Sequence, residues 1–323
     1  MSAITEEVVD SASISAASTK RKSLWLVAIR NPNVIFGGLI LLIMLSIAAL
    51  TLVGTGNGRT LADSVLGTVD PIRIDPAARN KKPGTEITFR LDNGQTAKRV
   101  AVMGTDSLGR DVYSRVIYGT RVSLAVGIAV AIISVAIGTI IGLISGYVRW
   151  ADGIIMRVMD GLMAIPGILL AIALVSIWRA GLITVIFAIV VPDVPRVVRL
   201  VRSIVLTVRE EPYVEGAISV GTPTWILMFR HILPNTVAPL IVQGTFLAAA
   251  AILTEAALSF LGIGIPPEIP SWGNIMAEGR TLFRVFPHNI LYPGIFLALT
   301  VLAINIMGDG LRDTLDPKMS KKV

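Results

Sequence analysis

The stretch EGAISVGTPTWILMFRHILP, Glu215–Pro234, is polar and glycine-punctuated, yet it lies between two long apolar runs. Read locally, it is two short helices around a corner. Glu210 and Glu211 precede Pro212. That order suits a helix N-terminus, where proline fits the first turn and acids face the positive end of the helix dipole. A first helix is predicted over Pro212–Val220, ended by Gly221 as a left-handed cap. Thr222 and Pro223 then offer an N-cap and a first position for a second helix. Its Trp225, Met228, Phe229 and Ile232 recur at helical spacing. Pro234 is read as its end, where the next apolar run begins. Gly216 and Ala217 leave the first helix thin on one side, open to another protein. The bland alternative is an elbow that merely joins two spans.

The surrounding composition is that of a membrane protein. Of 323 residues, 53% are hydrophobic and 16% charged, with a mean hydropathy of +0.73. Soluble domains carry about 25% charged residues. The net charge of +7 is better explained by Lys and Arg in loops on one membrane face than by nucleic-acid binding. There is no Cys and there are two His, which excludes disulfides, cysteine nucleophiles and zinc–thiolate sites. The first nineteen residues are acidic and Ser/Ala-rich, and the basic cluster Lys20-Arg21-Lys22 follows them. A secretory signal begins the other way round, so a cytoplasmic tail and an uncleaved first anchor are expected.

Crossing the hydrocarbon core takes about 20 apolar residues. The expected class is an all-α integral membrane protein with six transmembrane helices. The expected order is a tail 1–33, a first span 34–53, and an extracytoplasmic loop 54–121. Further spans follow at 122–148, 161–178 and 180–205, then a cytoplasmic coupling segment 210–234. Spans 235–260 and 289–308 and a tail 309–323 complete the chain, with 122–308 as the core domain. The 180–205 span is the least regular, because it runs through Asp193, Pro195 and Arg196. Such charges must face protein or the water interface. The two tails and the connections on their side hold fifteen basic residues. The short connections opposite hold three, Arg179, Arg280 and Arg284. This bias places both termini in the cytoplasm. The 54–121 loop exceeds the roughly 60-residue length above which its charges stop counting.

That loop carries the turn pairs Pro83-Gly84 and Asn93-Gly94 around EITFRL and KRVAVM, which predicts a hairpin; a mobile loop is the alternative. In the second span Gly138, Gly142 and Gly146 form a small-residue stripe, a helix-packing signal. Catalytic patterns are missing. The chain has no GxxxxGK[ST] loop for ATP and no HExxH. GLISG at Gly142–Gly146 has one residue too many for the GxSG of rhomboid proteases, so Ser145 reads as a packing serine. His231 and His288 fall on opposite sides of the membrane in this topology. No catalytic or metal site is expected.

EGA-x3-G-x9-H-x-LP resembles the EAA-x3-G-x9-I-x-LP loop of ABC importer permeases, with matching spacing. Gly216 departs from the usual alanine and His231 from the usual isoleucine. Three further stretches resemble the C-type permease subunit of dipeptide and oligopeptide importers. They are GTDSLGRDVYSRVIYGTRVSL (Gly104–Leu124), MDGLMAIPGILLAIAL (Met159–Leu174) and EAALSFLGIGIPPEIPSWGNIM (Glu255–Met276). Nearly the whole chain is covered; the hairpin insertion and N-terminal tail match less.

The resemblance implies a type I importer permease fold in the bacterial inner membrane. It implies a second, B-type permease subunit, one or two ATPase subunits that carry ATP and Mg, and an extracytoplasmic substrate-binding protein. The chain itself then needs no cofactor, touches lipid and binds no nucleic acid. Glu211, Pro212, Tyr213, Glu215, Gly216, Ala217, Gly221, Arg230, His231 and Pro234 are the implied ATPase-coupling residues. Glu255, Pro166 and Asp193 are candidates for the pathway or gate. Trp272 is a candidate contact for the binding protein, or an interfacial anchor. Asp106, Arg110, Asp111, Arg115 and Arg121 form a charged collar in which Asp111 and Arg115 have pairing distance on a helix. Glutathione, nickel or sugar import, a channel, and an intramembrane hydrolase are the rival readings.

Overall fold

The structure is a computed structural model that describes residues 29–55, 59–90, 96–178 and 181–315. The basic cluster at Lys20–Lys22, the Asn93-Gly94 turn, Arg179 and the end of the C-terminal tail lie outside the described residues. Helix α1 spans Pro32–Leu52. Asn31 caps it by accepting the Asn33 N–H at 2.9 Å, and Pro32 occupies the first turn. A short α2, Leu61–Val65, follows. Strands β1 (Thr85–Arg90) and β2 (Thr96–Ala101) pair antiparallel, Glu86 opposite Val100, so the predicted hairpin forms. Then come α3 (Val112–Tyr147), α4 (Arg149–Ala164), α5 (Gly167–Ile177) and α6 (Leu182–Val208). After α7 (Pro212–Ser219), α8 runs Thr224–Phe260, α9 spans Trp272–Gly279 and α10 spans His288–Leu315.

By length and composition α1, α3, α8 and α10 suffice to cross a membrane, and the bent pair α4–α5 makes a fifth candidate. Helix α6 is too charged to pass on composition, but its 27 residues extend about 40 Å at 1.5 Å per residue. Length and composition thus give four spans, or five with the bent pair, where six were expected, and the edges differ as well. The second begins ten residues before 122 because Asp111 caps α3 there, accepting the Ser114 N–H at 3.0 Å. The third span, expected as one piece over 161–178, bends by 91° between α4 and α5. Proline removes a backbone donor and pushes the preceding residue out of the helical region. Ile165, just before Pro166, is accordingly extended, at φ −93° and ψ 129°. The eleven residues of α5 reach only about 17 Å and cannot cross alone.

Helix α4 instead lies along α6 through ion pairs. Arg202 clamps both oxygens of Asp152 at 2.5 and 2.6 Å, and Arg199 reaches Asp160 at 2.5 Å. Ser145 adds a 2.6 Å bond to Asp152. Arg196, Arg199 and Arg202 all lie within α6.

The core is a seam between α3 and α6. A Cβ on Gly138, Gly142 or Gly146 would lie 2.5–2.7 Å from the Cβ of Val197, Val201 or Val205 in turn. The glycine stripe thus meets a valine stripe of the same four-residue period. Removing the Cβ lets the backbones approach where lipid gives no hydrophobic drive for helix pairing, so that contact rests on van der Waals packing. A second close approach sets α1 against α10, where Gly37 abuts the backbone of Ala303 and Met307. Gly142→Val is expected to destabilise the detergent-solubilised protein by ~1–3 kcal/mol, the usual cost of overpacking. Gly153→Ala, with open space at its Cβ position, is expected to cost nothing. Thermal unfolding of the two variants checks both, and an unchanged midpoint for Gly142→Val contradicts the seam.

Candidate functional site

The quoted stretch folds as a rigid corner at the end of α6. Helix α7 starts at Pro212, with Glu211 extended as its N-cap. It ends one residue before the expected Val220, in a double-bonded left-handed cap. The Gly221 N–H donates to Ile218 O at 2.9 Å and the Thr222 N–H to Ala217 O at 3.1 Å, with Gly221 at φ +82°. This pairing satisfies the last carbonyls of α7 and turns the chain sharply. Pro223, rather than Thr222, is the N-cap of α8. Val214, Leu227 and Ile232 are fully buried and join Val201, Val205 and Val208 of α6 and Leu240 of α8 in one apolar cluster. The corner is therefore fastened to two spans.

The other side of the corner is exposed among the described residues. Tyr213, Ile218, Val220, Trp225 and Phe229 are all exposed, Val220 at 87%. Glu215 is exposed in the first turn of α7, and no ion pair holds it among the described residues. A Cβ on Gly216 would meet nothing, whereas Ala217 packs on the buried cluster. Tyr213 is braced from α8, its hydroxyl accepting Asn235 Nδ2 at 3.1 Å. Arg230 is exposed, and His231 is half-buried with an unpartnered Nδ1.

Pro234 does not end the second helix. The segment Leu227–Ile232 is a π-helical turn, in which the Leu233 N–H reaches back five residues to Met228 O. Widening the ladder from four residues to five lets the chain pass a residue that has no N–H to give, and such turns recur at functional sites. Asn235 Nδ2 also donates to His231 O at 2.7 Å. The second helix of the corner and the following span are consequently one 37-residue helix, Thr224–Phe260.

The candidates for pathway and outer contact are placed differently from expectation. Trp272 is fully buried and its indole N–H donates to Val116 O at 3.2 Å. It is neither an interfacial anchor nor a surface on which a binding protein can land. Glu255 is also fully buried, so it lines no open pathway. It accepts from Ser259 and Ser271 hydroxyls at 2.8 and 2.9 Å, and Ser123 lies at 3.5 Å. Pro166 is exposed at the α4–α5 bend, and the neighbouring Gly167 faces Pro192 of α6. Asp193 is buried on α6 beside Arg196 at 3.5 Å. The bend thus packs on α6 at the residue before this carboxylate.

In the collar, Asp111 caps α3 instead of pairing with Arg115. Arg115 binds Glu278 of α9 at 3.2 Å, and Arg110 binds both Asp106, at 2.7 Å, and Glu278. Arg121 donates to Thr51 O at 3.2 Å. Glu278 is not among the residues the sequence singles out, because 168 and 163 residues separate it from Arg110 and Arg115 and no local spacing joins them. Burial pushes its carboxyl above the ordinary value, and the Arg115 and Arg110 guanidiniums offset this only in part. Among the described residues no group of three or more His, Asp or Glu is arranged to hold a metal ion.

Pro234→Ala restores a backbone donor. It is expected to convert the π turn to regular α-helix and rotate Trp225 and Phe229 by about 100°, one residue of helical turn. A structure of the variant checks this; an unchanged π turn contradicts the role given to Pro234.

Comparison with known proteins gives this geometry its context. The family model described as binding-protein-dependent transport system inner membrane component matches residues 134–321, more than half of the chain. A probable peptide ABC transporter permease protein of Sinorhizobium fredii is 51% identical over 253 residues, 78% of this chain and 82% of that protein. A glutathione transport system permease protein of Pectobacterium atrosepticum is 46% identical, over 71% of this chain and 76% of its own. A dipeptide transport system permease protein of Alkalihalophilus pseudofirmus is 45% identical, over 67% and 71%. The match to the family model and the long, high-identity alignments have one conclusion: the chain belongs to the binding-protein-dependent transport system inner membrane components, the permeases of ABC importers.

Proposed function

We propose that the chain forms half of the translocation pathway of an ATP-driven importer of di- and oligopeptides. The observation that carries this is the docking corner. Its buried half is locked to α6 and α8, while its apolar half, with the unpaired Glu215, is bare. Bare apolar surface of this kind marks a protein or membrane contact, and the exposed acid Glu215 within it favours a protein. A partner ATPase seated there would move α8 as it closes, because α7 packs through Val214 on Leu227 and Ile232, and this second arm of the corner is one helix with the span. ATP and Mg then belong to the ATPase subunits, one or two in kind. A B-type permease supplies the other half of the pathway, and an extracytoplasmic binding protein delivers the solute.

In this reading the corner and both termini face the cytoplasm of a bacterial cell, and the hairpin insertion faces outward. The protein is a multi-pass membrane component and not itself an ATP-hydrolysing enzyme, in line with relatives named as permeases. Peptide cargo follows the relatives named for peptide and dipeptide transport. Glutathione, itself a peptide, is the second reading, from the relative named for its transport.

Glu215→Arg is expected to abolish ATP-driven peptide uptake in whole cells while membrane insertion and expression stay at the parent level. Gly216→Ala, which fills only open space and favours helix by about 1 kcal/mol, is expected to leave uptake intact. Gly216→Trp should block it. Normal uptake by both Glu215→Arg and Gly216→Trp rules out this corner as the ATPase seat.

A further inference from the structure

Helix α9 is held at both ends by buried polar groups, and each end ties it to a different part of the molecule. At its N-terminus Ser271 caps the helix, accepting the Asn274 N–H at 3.2 Å, and donates to Glu255 of α8 at 2.9 Å. Ser259 of α8 converges on the same carboxylate. Ser123 of α3 accepts the Trp272 N–H at 3.3 Å. Gly273 lies so close to α8 that a Cβ there would come within 2.7 Å of the Ala256 backbone. At its C-terminus Glu278 meets Arg115 of α3 and Arg110 of the insertion, and Arg110 is held in turn by Asp106. Asn274 Nδ2 is shared among the carbonyls of Ile265, Pro266 and Ile269, at 3.0–3.1 Å. This pins the α8–α9 connection.

Stability alone is a poor reason for this arrangement. Arg115 is fully buried, yet its Nε and Nη1 have no hydrogen-bond partner. Buried ion pairs commonly cost more in desolvation than they return, and apolar packing in their place is often neutral or better. What such a cluster does provide is register. It fixes one alignment of α9 against the insertion and α3, while Glu255 fixes one alignment of α9 against α8. The opposite end of α8 is the docking corner, about 55 Å away along a 37-residue helix.

We propose that Glu255 and Glu278 are positioning residues of transport, tying the outer end of α8 to the extracytoplasmic insertion so that a binding protein landing outside is reported to the ATPase seat. This rests on the importer reading above. Neither residue touches cargo or nucleotide.

The test is ATP hydrolysis by the whole complex in proteoliposomes, with and without its liganded binding protein. Glu255→Gln and Glu278→Gln keep size and one carbonyl acceptor. Each is expected to leave basal hydrolysis unchanged and to lower stimulation by the binding protein at least about tenfold, within the range of allosteric couplings. The charge exchange Arg115→Glu with Glu278→Arg is expected to restore part of it. If a single variant fails to assemble, Arg115→Met with Glu278→Met replaces the pair by apolar groups and is read the same way. Parent-level stimulation in assembled variants overturns the proposal. A parent complex that its binding protein does not stimulate overturns the importer reading, and this proposal with it.

Discussion

In hydrocarbon no water satisfies a backbone amide or carbonyl, and each one left unpaired costs several kcal/mol. Prolines inside spans are therefore the constraint around which this bundle is organised. Pro166 is resolved by breaking the helix, which produces the 91° bend between α4 and α5. Pro234 is resolved by widening the ladder into a π turn, which keeps the second arm of the corner continuous with the span. Pro192 and Pro195 are carried within α6, where Val194, Pro195, Val197 and Val198 are buried among neighbouring helices. The same residue type gives a corner in one place and a lever in another.

Helix α6 is closely packed against α3. The glycine–valine seam removes the slack between their backbones, and close packing of this kind is not continuously deformable. Ion pairs from Arg199 and Arg202 add α4 to the same unit. The docking corner stands on this unit through Val214, Leu227 and Ile232. A force applied at the bare face of α7 thus meets two spans, α6 and α8.

Much of this was legible in the sequence, because it is written in local patterns. The apolar runs, the Gly221 cap and the amphipathic arm with Trp225 and Phe229 all follow from spacing of three or four residues. The glycine stripe was visible, but its valine partner was not, since nothing in a sequence of 323 residues links residue 142 to 201. The same gap hid Glu278 behind Arg110 and Arg115, and left Glu255 and Trp272 open to functional readings that burial removes. Pro234 departs from its local pattern for a different reason. A proline reads as a breaker from propensity, and only the backbone shows that a π turn can absorb it.

A cytoplasmic ATPase seated on the bare face of α7 would lie against Val220, which is 87% exposed. The chain contains no cysteine, so a single Val220→Cys variant reports this position alone in native membranes. Labelling by a membrane-impermeant maleimide, before and after permeabilisation, and cross-linking with a short bifunctional maleimide are read on the same preparation. Protection from outside in intact cells together with a cross-link to an ATPase subunit is the expected result. Labelling from outside, or the absence of any ATPase cross-link from an assembled complex, contradicts it.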